Sequence, residues 1–484
     1  MRNIRTIKGE WNLPGNQNIL PGKLSINYKK NKITLLFITD KYLNGEEVKT
    51  NNFINNNNHN YYIQINGTEN QKMTLYSCSY SRFSPIARGQ VEISYNVEYV
   101  FFNVHLKNVS KLKIKRIDST FPYLSSIFDG YDSINRDFEN QTERTTRSVP
   151  IKISKNLDLV LVDKYYKKLT DLESGHQMKF SKSIEFKYQQ SETFNQIYRD
   201  LRIFSSFLSF NTKKTIDFKL NYIEIPKEEA ESYDEFHSIL NPQKNDFIHC
   251  SVINFTLQKS NDFNKKSIHQ SMMYISGFNS SFEELSSVIC KWFENNNYRP
   301  IYDFYNDSNN WFENKSVILS NVMYNNKFLN LIQGLESYYD LLDLEFIKNN
   351  DEFTKNRQQV ISSLNNSSLE KWVMKNLKFP KTPNLTEKLE NLIYEFKLLN
   401  LKFEPINNFI EEYPIQAKEY RNKLSHGRIE TTYQGKNFEK LFSFSKILLC
   451  FCILKSLKIN SLFIERYLRS NYNITRELNK ITSL

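Results

Sequence analysis

The stretch on which the expected fold depends lies near the C-terminal end and reads Tyr420-Arg421-Asn422-Lys423-Leu424-Ser425-His426-Gly427-Arg428. We predict that it closes a helix running from Ile415 to His426. Pro414 suits the first position of a helix, where a missing N–H costs nothing. Gly427 suits the left-handed residue that ends one.

This helix has two faces, because an ideal helix turns by about 100° per residue. The apolar stripe, which must face a core, consists of Tyr413, Ala417, Tyr420 and Leu424. The adjoining polar side carries Lys418, Arg421, Asn422, Ser425 and His426. Asn422 and His426 stack on one face and can hydrogen-bond. Arg421 lies about 140° from His426. One helix therefore cannot easily aim both side chains at one atom, and a facing copy of the helix could supply the missing half.

Arginine and histidine at the end of one helix are suited to phosphodiester chemistry. A histidine can be charged or neutral near neutral pH and can act as a general acid or base. The guanidinium of an arginine is a fixed fork of donors that suits a phosphate. Arg421 and His426 thus indicate a site that breaks a phosphodiester without a metal. The alternative is a surface helix with an ordinary arginine and a capping histidine.

The motif Arg421-Asn422-x-x-x-His426-Gly427 resembles that of the HEPN ribonucleases, in which a polar residue follows the arginine and a histidine comes four to six positions after it. Phe328–Tyr339 is similar to an earlier helix of the ApeA-like HEPN domain. Three further segments are similar to the ApeA N-terminal domain: Gly9-Glu10-Trp11 with Leu13-Pro14, Pro21-Gly22-Lys23-Leu24, and Phe204–Phe210. The resemblance spans most of the chain.

The resemblance implies an endoribonuclease of anti-phage defence that acts by abortive infection, with RNA as substrate (transfer RNA is one candidate) and no cofactor. It implies a homodimer or a higher oligomer, with the motif helices facing across a two-fold axis. The ribose 2′-OH would attack the adjacent phosphate. His426 would move protons, Arg421 would hold the developing charge, and Asn422 would orient His426 or the ribose. Lys423 and Arg428 could guide the RNA backbone, or both could be solvated.

The charge balance, the cysteines and the apolar segments indicate which class of protein to expect. Lysine and arginine exceed aspartate and glutamate by 65 − 53 = 12 over 484 residues, an excess that suits an anionic partner such as RNA but is spread along the chain. The five cysteines suggest no disulfide framework, and Cys450 and Cys452 are expected in a core. Neither a signal peptide nor an apolar run long enough for a bilayer is found. We expect a cytoplasmic protein that does not engage a membrane.

Residues 1–280 are expected to form a β-rich, antiparallel, sandwich-like sensor or recognition region. Short segments rich in β-branched and aromatic residues predict strands: Lys32–Ile38, Tyr61–Ile65, Lys72–Tyr76, Val97–Leu106, Ile151–Ile153, Leu157–Val162, Ser183–Tyr188, Thr215–Ile225 and Ser251–Leu257. Val109–Ile117 is interpreted as an edge strand with one solvent-exposed basic face, which could contact RNA. Residues 130–150 are interpreted as a linker or long loop that could subdivide the region. Phe194–Phe210 has helical periodicity and predicts a helix packed on the sheet.

From residue 281 to residue 484 the apolar period becomes helical, which predicts an all-α HEPN bundle and makes the whole chain α+β and multidomain. Lys440–Leu457, apolar on several faces, is expected to be the central helix. Glu336 lies beside one apolar stripe. In some relatives an acidic residue on an early helix approaches the site, but we interpret Glu336 as a solvated residue on a helix face.

The sequence offers no second catalytic site. It contains no glycine-rich phosphate loop and no Gly-x-Ser-x-Gly turn, and its histidines lack the spacing of zinc ligands. Two other functions stay open. One is a non-catalytic helical scaffold whose β-sandwich binds a phage protein or a glycan. The other is a nuclease that is silent until a phage-derived ligand binds the N-terminal region.

Overall fold

The structure is a computed structural model. It describes residues 4–12, 19–40, 42–43, 46–47, 63–67, 72–86, 89–128, 143–147, 150–169, 176–233, 246–254, 282–309, 317–342, 350–377, 383–399, 407–426 and 436–482. The chain divides into two compact units. The first consists of residues 1–209, 215–270 and 280–294, and the second of residues 210–214, 271–279 and 295–484.

The first unit is built on antiparallel strands. They are β1 Ile4–Asn12, β2 Ile19–Asn27, β3 Lys32–Asp40, β4 Tyr42–Leu43, β5 Glu46–Glu47, β6 Ile63–Gly67, β7 Met73–Pro85, β8 Gln90–Phe102, β9 Val104–Leu106, β10 Lys113–Thr120, β11 Glu143–Arg147, β12 Ile151–Lys152, β13 Leu157–Leu169, β14 His176–Thr193, β15 Lys219–Pro226, β16 Ala230–Tyr233 and β17 Phe247–Asn254. The main sheet runs β11-β13-β14-β10-β15-β17-β8-β3-β2-β1-β6-β7, with β12 beside β13. The predicted antiparallel, β-rich region is confirmed.

Six of these strands together form a closed ring. β7 pairs with β6 and also with β8, so the order β8-β3-β2-β1-β6-β7 returns to β8. Alternate side chains point into this ring, because successive residues of a strand face opposite sides. The interior holds Trp11, Leu24, Ile26, Leu35 and Phe37 among its buried residues. Burial of these aromatic and branched side chains stabilises the ring.

Two predictions for the sheet need correction. Val109–Ile117 is not an edge strand, since Val109–Lys111 forms a 3₁₀ turn and β10 pairs with β14 on one side and β15 on the other. Alternation of apolar and charged residues also fits an interior strand whose charged side chains find partners, as Arg116 does with Glu185 and Glu224. Arg144–Arg147, expected in a linker, lies in β11 and pairs with β13.

The remaining strand predictions overlap observed strands, with shifted ends. Val97–Leu106 divides into β8 and β9 at Asn103, which adopts the left-handed conformation (φ 64°). One residue in the left-handed conformation does not change the order of apolar and polar residues, so the sequence did not indicate this break between the two strands. Tyr61, Tyr62 and residues 255–257 of the predicted strands lie outside the described residues, as do 129–142 and 148–149 of the expected linker.

Three helices accompany the sheet: α1 Leu124–Ile127, α2 Phe194–Thr212 and α3 Phe282–Glu294. The predicted helix is confirmed as α2. Its Phe204 ring contacts the ring of Phe186 in β14 and that of Phe121, which directly follows β10. Trp292 of α3 donates from Nε1 to the carbonyl of Ile203 (3.1 Å). This helix clusters with the first unit. The division of the chain at residues 280 and 281 stays a prediction.

The second unit is helical, as predicted. Its helices include α4 Arg299–Asn309, α5 Val317–Leu341, α6 Asn350–Ser362, α7 Ser367–Asn376, α8 Leu385–Lys397, α9 Asn407–Ser425, α10 Lys436–Ser456, α11 Ser461–Ser470 and α12 Tyr472–Thr482. The central position of α10 is confirmed, because it contacts α4, α5, α8, α9, α11 and α12. Cys450 and Cys452 are buried in it as free thiols. Of the helices in the described part of the chain, none combines the length and the apolar character needed to cross a bilayer.

Candidate active site

Helix α9, which carries the motif, is longer than the sequence indicated. It begins at Asn407, so Pro414 lies inside the helix and does not start it. Proline inside a helix removes one backbone hydrogen bond. Tertiary packing offsets that loss here, because Ile410 and Tyr413 are fully buried and the Tyr413 hydroxyl lies 2.7 Å from Ser445 Oγ of α10. The predicted start of the helix was therefore wrong, although its end was close.

The apolar stripe of α9 fixes the end of the helix against two neighbours. Tyr413 and Ala417 are fully buried. One turn further on, the Tyr420 ring lies 6.5 Å from the Phe328 ring of α5 and 5.8 Å from the Phe438 ring of α10. These contacts leave the polar side of the last turns directed away from the core. The residues of the motif lie on that side.

Arg421 is half-buried and forms an ion pair with Glu336 of α5. Its Nη2 atom lies 3.8 Å from Glu336 Oε2, and the two side chains are 39% and 24% exposed. The other carboxylate oxygen of Glu336, Oε1, lies 3.6 Å from Nζ of Lys388 on α8. Lys388 also contacts Asp340 Oδ1 at 2.6 Å. The interpretation of Glu336 as a solvated residue is thus wrong, because the packing of α5 against α8 and α9 brings two cations to its carboxylate.

Asn422 is directed toward Arg421. Arg421 Nη1 donates to Asn422 Oδ1 at 3.4 Å, a long hydrogen bond. The backbone carbonyl of Asn422 accepts from the N–H of His426 (3.1 Å), and Ser425 Oγ donates to the carbonyl of Arg421 (2.8 Å). These local hydrogen bonds stabilise the last turn of α9. Side-chain contact between Asn422 and the His426 ring stays a prediction.

His426 follows the last residue of α9 directly and is exposed. Lys423, one of the two residues proposed to contact RNA, is also exposed. Arg428, the other, and Gly427 lie outside the described residues. The imidazole is therefore open to solvent, and another molecule can reach it.

Lys388 and Asp340 were missed in the sequence. A signal for Lys388 did exist. Leu385, Leu389 and Leu392 form an apolar stripe on α8, and Lys388 falls on the same stripe by its i, i+3, i+4, i+7 spacing. A lysine in such a stripe must either be covered with a partner or end the stripe. In the structure Lys388 is buried and paired.

Metal binding has no candidate residues in the described ranges. No group of three or more histidine, cysteine, aspartate or glutamate side chains there is placed to share an ion. The chemistry available at the end of α9 is that of a guanidinium, an amide and an imidazole. Together they can bind an anion, stabilise negative charge and transfer protons.

Two family models match the chain. ApeA N-terminal domain 1 matches residues 6–269, more than half of the chain, and Apea-like HEPN matches residues 329–461. The second match contains Glu336, Lys388 and the Arg421–His426 motif. No curated protein and no solved structure matches. The protein is thus a two-part chain with an N-terminal β region and a C-terminal HEPN bundle. It belongs to the family of ApeA-like HEPN proteins.

Proposed function

We propose that the protein is a metal-independent endoribonuclease of anti-phage defence that acts by abortive infection. The observation that carries this proposal is the end of α9, where a guanidinium paired with Glu336 and an exposed imidazole come from one short motif. Membership of the family supports it, since HEPN domains generally have ribonuclease activity. Transfer RNA is one candidate substrate.

The proposed reaction uses the ribose of the substrate as the nucleophile. The 2′-OH attacks the adjacent phosphorus, the bond from phosphorus to the 5′ oxygen breaks, and a 2′,3′-cyclic phosphate remains. His426 takes the proton of the 2′-OH or gives one to the leaving 5′ oxygen. Arg421 neutralises the charge on the phosphorane, and Asn422 orients His426 or the ribose.

Glu336 acts as a positioning residue in this scheme. Its carboxylate restrains the long side chain of Arg421 while leaving the guanidinium partly open to solvent. A guanidinium has five N–H donors, so the ion pair leaves others available for a phosphate. Lys388, which is itself paired with Asp340, holds Glu336 from the other side.

A second copy of α9 would complete the site. On one helix Arg421 and His426 diverge by about 140°. In a two-fold dimer the same surface of each subunit meets its counterpart, so Arg421 of one subunit can approach His426 of the other. Lys423 and Arg428 would then line the path of the RNA backbone. The N-terminal region would act as the sensor of a phage-derived trigger.

The test is expression of wild-type protein beside His426→Ala, with Lys355→Ala of α6 as a control on an exposed residue. We expect growth arrest and new RNA 3′ ends with wild type and with Lys355→Ala, during phage infection if a trigger is required. His426→Ala should cause neither. Equal behaviour of wild type and His426→Ala under both conditions would favour the non-catalytic binding protein.

A further inference from the structure

Helix α7 of the second unit presents an exposed tryptophan. Trp372 is 62% exposed, whereas the other two tryptophans that the structure describes, Trp11 and Trp292, are fully buried. Val373 is the one buried residue of α7, so most of the surface of this helix faces solvent. A large aromatic side chain left in water lacks the stabilisation that burial gives, and such side chains are enriched at binding surfaces. Trp372 therefore indicates a surface that contacts another molecule.

Two lysines lie beside Trp372 on α7. Around the helix axis, Lys375 lies about 60° and Lys371 about 100° from Trp372, both on the same side of it. Both lysines are exposed. They lie about 160° from the buried Val373, so they occupy the outward side of the helix. We call Lys371, Trp372 and Lys375 the α7 patch.

The α7 patch carries positive charge without an acidic counterpart in the part of the chain that the structure describes. No described carboxylate lies within ion-pair distance of Lys371 or Lys375. Glu370 is the one acidic residue of α7, and it lies about 160° from Trp372 around the axis. Lys371 and Lys375 are also four residues apart, a spacing at which like charges repel each other on a helix. An anion bound between them would relieve this repulsion.

The other exposed apolar side chains of α7 do not extend the patch into an apolar surface. Leu369 is 50% exposed and lies between Trp372 and the buried Val373, toward the core. Met374 is 55% exposed and lies about 160° from Trp372. A helix that docks on another protein groups its apolar side chains on the docking face, and lysine is depleted from such interfaces. Here the outward side of the helix holds the lysines, with one aromatic ring at its border.

We propose that the α7 patch binds single-stranded RNA and so forms an accessory site of the ribonuclease proposed above, a role that rests on that function. An unpaired base stacks on the indole of Trp372, and Lys371 and Lys375 contact the adjacent phosphates. Aromatic stacking with flanking cations holds single strands without reading their sequence. A paired base has no free face for an aromatic ring, so the contact is with a loop or an end of the RNA.

The accessory site increases the affinity of the enzyme for its substrate. Helix α7 lies in the chain between α5 and α8, which carry Glu336 and Lys388, and it belongs to the same compact unit. An RNA held at α7 and at Arg421 together binds more tightly than at either place alone. This binding is equal in the ground state and the transition state. Its loss should therefore raise KM and leave kcat nearly unchanged.

The experiment measures the binding of a fluorescein-labelled single-stranded oligoribonucleotide of mixed sequence to full-length His426→Ala, in which the proposed cleavage is blocked. Fluorescence anisotropy gives the affinity. We expect it to fall by about tenfold when Trp372→Ala or Trp372→Leu is added, and to stay near the parent value with Trp372→Phe, because phenylalanine keeps an aromatic face and leucine does not. Leu462→Ala, at a residue of α11 that is 74% exposed, is the matched control and should bind like the parent.

Lys371→Gln and Lys375→Gln test the phosphate contacts. Each should weaken binding and reduce the slope of log affinity against log salt concentration by about 0.7, the value for one phosphate contact on a single strand. Lys8→Gln, at an exposed lysine of β1, should leave this slope unchanged. Substitutions at exposed positions have little effect on stability, so thermal unfolding should show the parent midpoint in every variant.

Three results would overturn the proposal. The first is the absence of saturable binding of the oligoribonucleotide to the folded His426→Ala chain. The second is parent affinity in Trp372→Ala. If sedimentation then showed that this variant had lost self-association, the surface would be assigned to a second copy of the chain. The third is parent affinity in Trp372→Leu, because it would replace base stacking by an apolar contact.

The kinetics of RNA cleavage separate this inference from the proposed function. In the wild-type background, Trp372→Ala should raise KM by about tenfold and leave kcat nearly unchanged. Unchanged KM and kcat would remove the accessory site and leave the ribonuclease. RNA binding that depends on Trp372, in a wild-type chain that cleaves no RNA, would instead support the α7 patch and contradict the ribonuclease.

Discussion

Arg421 Nη2 lies 3.8 Å from Glu336 Oε2, across the contact between α9 and α5. Both side chains are partly exposed, and ion pairs of this kind add only about 0–1 kcal/mol to stability. We therefore expect the ion pair to matter for the position of the Arg421 side chain more than for stability. It restrains a flexible side chain whose guanidinium is the proposed charge-stabilising group.

Glu336→Gln should uncouple Arg421 from α5. Lys388 keeps Asp340 as a partner, so the fold should persist. We expect kcat on RNA to fall by about tenfold with little change in KM, because a positioning residue acts on the transition state more than on binding. Asp340→Asn is the matched control. It removes the other partner of Lys388 without touching Arg421, and it should retain most activity. Equal loss in both variants would mean that the network is merely structural.

Arg421→Ala and His426→Ala should each be inactive alone and recover activity when mixed. If each site takes its arginine from one subunit and its histidine from the other, a mixed dimer keeps one intact site. Random exchange of subunits should then restore about a quarter of wild-type activity. Measurement of RNA cleavage after co-refolding or co-expression tests this. Persistent inactivity of a dimer shown to be mixed would place both groups within one subunit.

An RNA with a single deoxyribose at the cleaved position should stay intact at that position. The reason is that the 2′-OH is the proposed nucleophile. Mapping of fragment ends should show the cut only in the all-ribose substrate and a 2′,3′-cyclic phosphate at its product. Cleavage should also continue in the presence of a chelator. Cutting of the deoxyribose substrate would contradict the mechanism but leave the site open to a different nucleophile.

Gly22→Ala should destabilise the first unit. A Cβ at Gly22 would lie 2.9 Å from ring carbons of both Phe37 and Trp11. Both aromatic side chains are fully buried in the core enclosed by the six strands, so the added methyl group must displace core side chains. Overpacking of this kind costs roughly 1–3 kcal/mol. Urea unfolding should show the loss, whereas Lys23→Ala, at the exposed neighbouring position, should leave the midpoint near that of wild type.

Much of the local structure could be predicted from the sequence. The apolar period of 3.6 residues located α2 and α8, the segment Lys440–Leu457 with apolar residues on several faces located α10, and runs of β-branched residues located the strands. These signals act within a few residues of the chain. The errors occurred where the local structure depends on contacts with segments that are distant in the sequence. Pro414 is tolerated inside α9 because Tyr413 and Ile410 pack into a core, and β10 is interior because β14 and β15 flank it.

The sequence by itself determined that a guanidinium, an amide and an imidazole come at the end of one helix, since the spacing of Arg421, Asn422 and His426 is a local property. Only the tertiary structure decided that Glu336 and Lys388 meet beside Arg421. The physical reason is that an ion pair between helices depends on which faces pack together. That choice is made by the burial of the whole apolar surface and not by any single segment.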